Sequence, residues 1–173
     1  VVLITVFGPV SGAHFNPAVS VVMAMRGDLQ KSVLPSYVVA QIVGAICGAV
    51  LAHAMFALPL VSSFAQPRTG LAQWLAEGVA TFGLVLVIFG ALRARSESVP
   101  WIVGLYIVAA YWFTASTSFA NPAVTIGRAF TGTFAGIRLF DVPGFVLAQM
   151  LGAVGALTLV RWLFADRDFA NPA

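Results

Sequence analysis

Phe119-Ala120-Asn121-Pro122-Ala123-Val124, with its echo Phe15-Asn16-Pro17-Ala18-Val19, decides how this 173-residue chain is read. A polar, small-residue loop precedes each copy: Ser11-Gly12-Ala13-His14 in one case, Thr114-Ala115-Ser116-Thr117-Ser118 in the other. A nine-residue apolar run follows each, Pro17–Met25 and Pro122–Phe130, and stops at a small-residue break, Arg26-Gly27 or Thr131-Gly132. Asn is a favoured N-cap because its side-chain oxygen accepts a bond from an orphan N–H of the first turn. Pro suits the first helical position, where no donor is missed. A helix of that length is about 14 Å long, roughly half of a hydrocarbon core of about 30 Å. The two copies therefore predict half-helices rather than spans. A lone Asn-Pro-Ala is weak: Asn171-Pro172-Ala173 follows Asp166-Arg167-Asp168, opens no helix and reads as chance. The specific signal is the pair in matching context.

Composition places the chain in lipid. Hydrophobic residues make up 60% and charged residues 9%, and the mean hydropathy is +0.97; a soluble domain carries about 25% charged residues. The expected class is an all-α membrane protein. A formal charge of +3, spread along the chain, argues against a nucleic-acid partner. The single Cys47 cannot form an internal disulfide, and its apolar helical context reads as packing. His14 in a loop and His53 at a helix end are too few for a metal site, so neither metal nor cofactor is expected. Gly-x-Ser-x-Gly, His-Glu-x-x-His and an acidic pair within the spans are all lacking, which speaks against an enzyme. Val1 to Phe7 is an apolar run already in progress and too short to span alone; a missing N-terminal part is expected.

In order, Val1–Val10 is a helix tail, Ser11–Asn16 a loop, and Pro17–Met25 the first half-helix. Val33–Ala54 and Leu71–Leu92 are spans, with a loop from Pro59 to Gly70 between them. Pro100–Phe113 starts a span that runs into the second loop, Pro122–Phe130 is the second half-helix, and Pro143–Phe164 is the last span. Arg26, Lys31, Arg93, Arg95, Arg161 and Arg167 then fall on one side, against Arg68, Arg128 and Arg138 on the other; the richer side is the expected cytoplasm, C-terminus included. Tyr37–Ala45 resembles Phe145–Ala153, with Gln41 and Gln149 aligned at nearly the separation of Asn16 and Asn121. One domain, 1–173, is expected, with 1–54 the remainder of a first repeat and 71–164 an inverted second. Interrupted helices at matching places in inverted halves point to a midplane site between them. Gly44 and Gly48, matched by Gly152 and Ala156, read as small-residue faces for close helix packing.

Ser11-Gly12-Ala13-His14-Phe15-Asn16-Pro17-Ala18-Val19 resembles loop B of the aquaporin, or major intrinsic protein, family; the second copy resembles its loop E. The resemblance covers nearly the whole chain. It implies an aquaporin-like bundle with two re-entrant half-helices, the first helix and most of the second lying before Val1, and a homotetramer in the plasma (inner) membrane. Irregular backbone at membrane depth survives only when buried in protein or lining a water-filled cavity. Two positive half-helix ends facing each other raise a barrier to cations and protons, as recognised for aquaporin-type pores. With their oxygens used as caps, Asn16 and Asn121 have NH₂ groups to donate into a pore. The carbonyls of Gly12, Ala13, His14, Thr117, Ser118 and Phe119 would supply acceptors. The bland alternative is that both asparagines cap helices and do nothing else.

Most members carry arginine directly after the second Asn-Pro-Ala; here Val124 stands there. Residue count places Ala109 and Ser118 at two further constriction positions, with the fourth before Val1. A filter wider and less polar than a water-only filter is implied, for water and polyol-like solutes such as glycerol. Replacement of the arginine by valine resembles an aquaglyceroporin-like bacterial branch associated with arsenic resistance, which adds As(OH)₃. Arg128, at i+4 from Val124, is either a vestibule cation or an arginine snorkelling to the interface. Glu77 lies within a span and is by default a functional candidate; the resemblance implies that it braces loop N–H groups, a proton relay being the alternative. An ion-coupled small-solute transporter and a strict water channel remain the competing functions.

Overall fold

A computed structural model of the protein describes residues 1–62 and 67–164. Ser63, the third Asn-Pro-Ala and the charged tail with Arg167 lie outside the described residues. Seven α-helices occur among the described residues: α1 Val2–Ser11, α2 Pro17–Arg26, α3 Leu34–Met55, α4 Leu71–Ala94, α5 Val99–Phe113, α6 Pro122–Arg128 and α7 Val142–Leu163. Three are long and apolar enough to cross a membrane, the third when counted from the short turn at Leu139. Three of the four long helices after the first half-helix have a proline in their first turn, and the fourth follows a glycine. Pro35, Pro100 and Pro143 open α3, α5 and α7, where a missing donor costs nothing. Gly70, at φ 101°, precedes α4.

Both half-helices form as the Asn-Pro pair dictates. Asn16 is extended and accepts from Ala18 N; Asn121 is extended and accepts from Ala123 N and Val124 N. Their far ends differ. α2 runs ten residues, one beyond the expected Met25, because Gly27 takes a left-handed turn and returns its N–H to Met23 O. α6 has only seven residues and stops at Arg128, short of the expected Phe130. Ile137 N bonds to Arg128 O there, so the chain turns back before another helical turn can form.

The centre of the bundle is the α4–α7 contact. A Cβ on Gly152 would stand 2.2 Å from Gly78 O, so the two backbones touch and only glycine fits. Leu84, Val85 and Phe89 of α4 and Ala153, Ala156 and Leu157 of α7 enclose the buried face of α2, Ala18, Val19 and Val22. α6 docks on α3 in the same way, with Ala45 O 2.9 Å from a Cβ placed on Gly127. Gly44 and Gly48 do not pack as expected: among the described residues, nothing beyond α3's own neighbouring backbone lies within 4 Å of either added Cβ. The close approach runs through Ala45, one residue round the helix. Cys47 is likewise exposed on the chain surface rather than packed, because α3 buries only His53. Val39, Val43, Leu51 and Met55 of α3, and Leu71, Leu75 and Val79 of α4, face outward. Such an apolar exterior is stable against lipid and not against water.

His53, at the end of α3 as expected, is buried. Its Nε2 lies 2.7 Å from Thr131 Oγ1 and its Nδ1 3.0 Å from Leu60 O, so it joins the end of α3 to the segment after α6. Arg26, Arg93 and Arg161 gather at one end of the bundle. Arg161 donates to Met25 O, Arg93 lies over the Phe164 ring, and Arg26 pairs with Asp28. Arg68 and Arg138 meet on Asp141 at the opposite end.

Candidate functional site

The two loops meet through their asparagines. Asn16 Nδ2 donates to Ala120 O at 2.7 Å, and Asn121 Nδ2 donates to Phe15 O at 2.8 Å. Each amide therefore spends its oxygen on its own half-helix and one N–H on the opposite loop. The donation into a pore expected of both NH₂ groups is narrowed to one N–H on each, because crossing the loops satisfies two carbonyls that would otherwise be orphaned.

The backbone around them is strained in the same pattern twice. Positive φ falls on Gly12, Ala13 and Phe15 in the first loop and on Thr117, Ser118 and Ala120 in the second. These are matching positions before the two asparagines, and five of the six are not glycine. Each such residue costs on the order of 1–3 kcal/mol and persists only where its surroundings over-determine it. The determinants are visible. Glu77, fully buried on α4, accepts from Phe119 N and Ala120 N, both at 2.8 Å, and from Gln149 Nε2 at 2.6 Å. Gln149 Nε2 also donates to Thr125 Oγ1, which donates to Asn121 O. The first loop has its own version: Gln41 Nε2 donates to Ser20 Oγ, which donates to Asn16 O. Tyr37 closes that loop, donating to Ser11 O and accepting from His14 N.

A cavity of about 240 Å³ surrounds the meeting point, bordered by Asn16, Asn121, Ser118, Val124, Arg128 and His14 among others. It shares Ile4, His14, Val19, Ile88 and Val103 with a second cavity of about 340 Å³ that reaches Gly12, Ala13, Arg26 and Asp28. At the other end it shares Arg128 with a third, of about 480 Å³, beside His53, Thr131 and Thr133. The cavities thus follow one another from the Arg26 end to the Thr131 end.

Pro17, Ala18, Pro122 and Ala123 are buried beneath this path, at the roots of the half-helices. Phe119 and Ser118 border it. Two expected residues do not. Ala109 is exposed, and α5 presents Val103, Ile107 and Tyr111 to the cavity instead. Those positions repeat every four residues on one helix face, and Ala109 lies two positions off that stripe. Thr117 borders none of the three cavities; its hydroxyl accepts from Arg68 Nη1 at 3.4 Å.

Arg68 is the functional neighbour that the sequence did not reveal. Its buried guanidinium donates to Gly136 O at 2.7 Å, Ser116 O at 3.1 Å and Phe134 O at 2.8 Å, and its backbone N–H reaches Asp141. Burial first, and the nearby Arg128 charge second, pull its pKa below the ordinary arginine value, while Glu77 opposes them. Phe119 lies between the two guanidinium groups, 5.2 Å from Arg68 and 4.2 Å from Arg128.

An all-helical bundle with a lipid-compatible exterior, two re-entrant half-helices and a cavity series through their meeting point defines a multi-pass membrane protein of the aquaporin-like class. The chain belongs to the major intrinsic protein family, whose pattern it matches over residues 1–115. It is 62% identical over 163 residues to the aquaglyceroporin AqpS of Rhizobium meliloti (strain 1021), covering 94% of this chain and 70% of that protein. It is 34% identical over 176 residues to the aquaglyceroporin of Toxoplasma gondii (strain ATCC 50611 / Me49), covering 98% and 66%. It is 35% identical over 154 residues to the glycerol uptake facilitator protein of Bacillus subtilis (strain 168), covering 79% and 54%.

Proposed function

We propose that this chain forms a passive channel subunit for small uncharged solutes, water and polyol-like molecules such as glycerol or As(OH)₃, that excludes protons and ions. The reciprocal Asn16–Asn121 crossing carries the reading. It holds two half-helix N-termini, each equivalent to roughly half a positive charge, against one cavity. A cation meets that field, whereas a neutral solute oxygen accepts the remaining amide N–H groups. The carbonyls of Gly12, Ala13, His14, Ser118 and Phe119 then supply acceptors along the path, and Val124 and Ser118 form a wide, weakly polar constriction. The relatives named aquaglyceroporins and a glycerol uptake facilitator support the same solute class.

Glu77 acts as a brace rather than a proton relay, since both its oxygens already accept from loop N–H groups and no second carboxylate adjoins it among the described residues. This disfavours an ion-coupled transporter. The Arg26–Arg93–Arg161 end faces the cytoplasm of the plasma membrane, in keeping with its excess of positive charge. Residues 1–54 and 71–164 act as inverted repeats, and the subunit assembles in lipid as a homotetramer.

Stopped-flow measurements on liposomes holding the full-length protein, comparing water, glycerol and As(OH)₃, test the proposal. Flux of all three without an ion gradient is expected. Passage of water alone would refute the wide filter, and flux that collapses without an ion gradient would favour the transporter.

A further inference from the structure

Val124 leaves the position next to Asn121 without a cation. The same face of α6 carries Arg128 one turn on, a rise of about 5.4 Å. That side chain does not stretch away to a headgroup layer. Its guanidinium lies on the Phe119 ring at 4.2 Å, and Nη2 contacts the Tyr111 hydroxyl at 3.4 Å. Phe119 offers a fixed platform, held edge-on by Phe145 at 5.3 Å and capped by Arg68. Tyr111 and Arg128 border the same cavity as Asn16, Asn121 and Val124. The Tyr111 contact is long for an N–H···O bond, and the guanidinium makes no other hydrogen bond among the described residues.

We propose that Tyr111 and Arg128 form a second polar station, one turn outward from the asparagine pair, that gives uncharged polyhydroxyl solutes an advantage over water. This rests on the channel reading above and deepens it. The guanidinium only donates, whereas the phenol both donates and accepts. A solute with several hydroxyls meets both partners at once while still reaching toward the asparagine N–H groups. A single water engages one station at a time and gains less. The station also explains how a pore with valine at its constriction retains hydroxyl recognition: the cation is displaced outward along α6 instead of being lost.

The test compares glycerol and water permeability of the full-length protein in liposomes for Tyr111→Phe, Arg128→Lys and the control Tyr106→Phe. The Tyr106 hydroxyl is bound to Ala80 O and borders none of the three cavities. Tyr111→Phe is expected to lower glycerol permeability about fivefold, the loss of one ordinary hydrogen bond, with water changed less than about twofold. Arg128→Lys, which keeps the charge but not the planar fork, should shift the ratio the same way, and Tyr106→Phe should not. A conducting wild type whose Tyr111 and Arg128 variants keep the wild-type ratio overturns the station alone. A wild type that conducts neither solute above empty liposomes overturns the channel reading and the station with it.

Discussion

Glu77 and Gln149 face each other across the α4–α7 contact, with Gln149 Nε2 2.6 Å from Glu77 Oε2. The pair ties the densest part of the bundle to the most strained backbone in it. From Glu77 the bonds run to Phe119 and Ala120; from Gln149 they run through Thr125 to Asn121. A rigid packing interface thereby sets the geometry of a loop that has no regular hydrogen bonding of its own.

Glu77→Gln is the sharpest probe of that link. A carboxamide keeps one acceptor and turns a donor toward N–H groups that need an acceptor, and each unpaired buried donor costs about 1–3 kcal/mol. The variant should melt earlier in detergent and conduct less, with solute flux indifferent to a proton gradient before and after the change. Proton-driven uptake that disappears in the variant would falsify the brace.

Two glycines of similar sequence context should behave oppositely. Gly152→Ala drives a methyl into Gly78 O and should destabilise by about 1–3 kcal/mol, the usual range for overpacking. Gly44→Ala meets open space and should be neutral or gain up to about 1 kcal/mol from helix propensity. Thermal unfolding of the two variants side by side reads the contrast, and equal shifts would contradict the packing described.

Arg68→Lys keeps a charge but cannot serve Gly136, Ser116 and Phe134 together. The expected cost is about 2 kcal/mol, confined to the second loop and the 130–138 segment. Hydrogen exchange should quicken there while α4 and α7 keep their protection. Unchanged exchange at residues 130–138 would show that the guanidinium holds nothing.

Val124→Arg places a guanidinium in the cavity that Asn121 borders, where an apolar side chain now stands. Glycerol and As(OH)₃ flux should fall by roughly tenfold, an added barrier of about 1.4 kcal/mol, with a smaller effect on water. Equal loss of all three solutes would point to a blocked pore instead of a narrowed filter.

Much of this architecture was legible because short-range chemistry wrote it. Asn-Pro ahead of a nine-residue apolar run marks a helix start from neighbouring residues alone, and a 22-residue apolar run such as α3 declares a span by length alone. What stayed hidden depends on residues far apart in the chain. Arg68 looks like any solvated loop arginine until the 134–136 carbonyls fold over it, and His53 looks like an interface residue until Thr131 arrives. Counting back from Asn121 pointed to Ala109, but the face that α5 presents depends on its docking, and that brought Tyr111 to the cavity. The fate of the asparagine N–H groups was hidden for the same reason, since each partner carbonyl sits on the other loop.

That crossing has a consequence for biosynthesis. Asn16 and Asn121 each depend on a carbonyl more than a hundred positions away, so the first re-entrant loop cannot close while the ribosome is still making the second. Until then Phe15 O lacks its final donor inside the bilayer, where an unpaired polar group costs several kcal/mol. Early insertion intermediates should therefore hold α2 near the membrane surface and let it slip to the midplane only once α6 arrives.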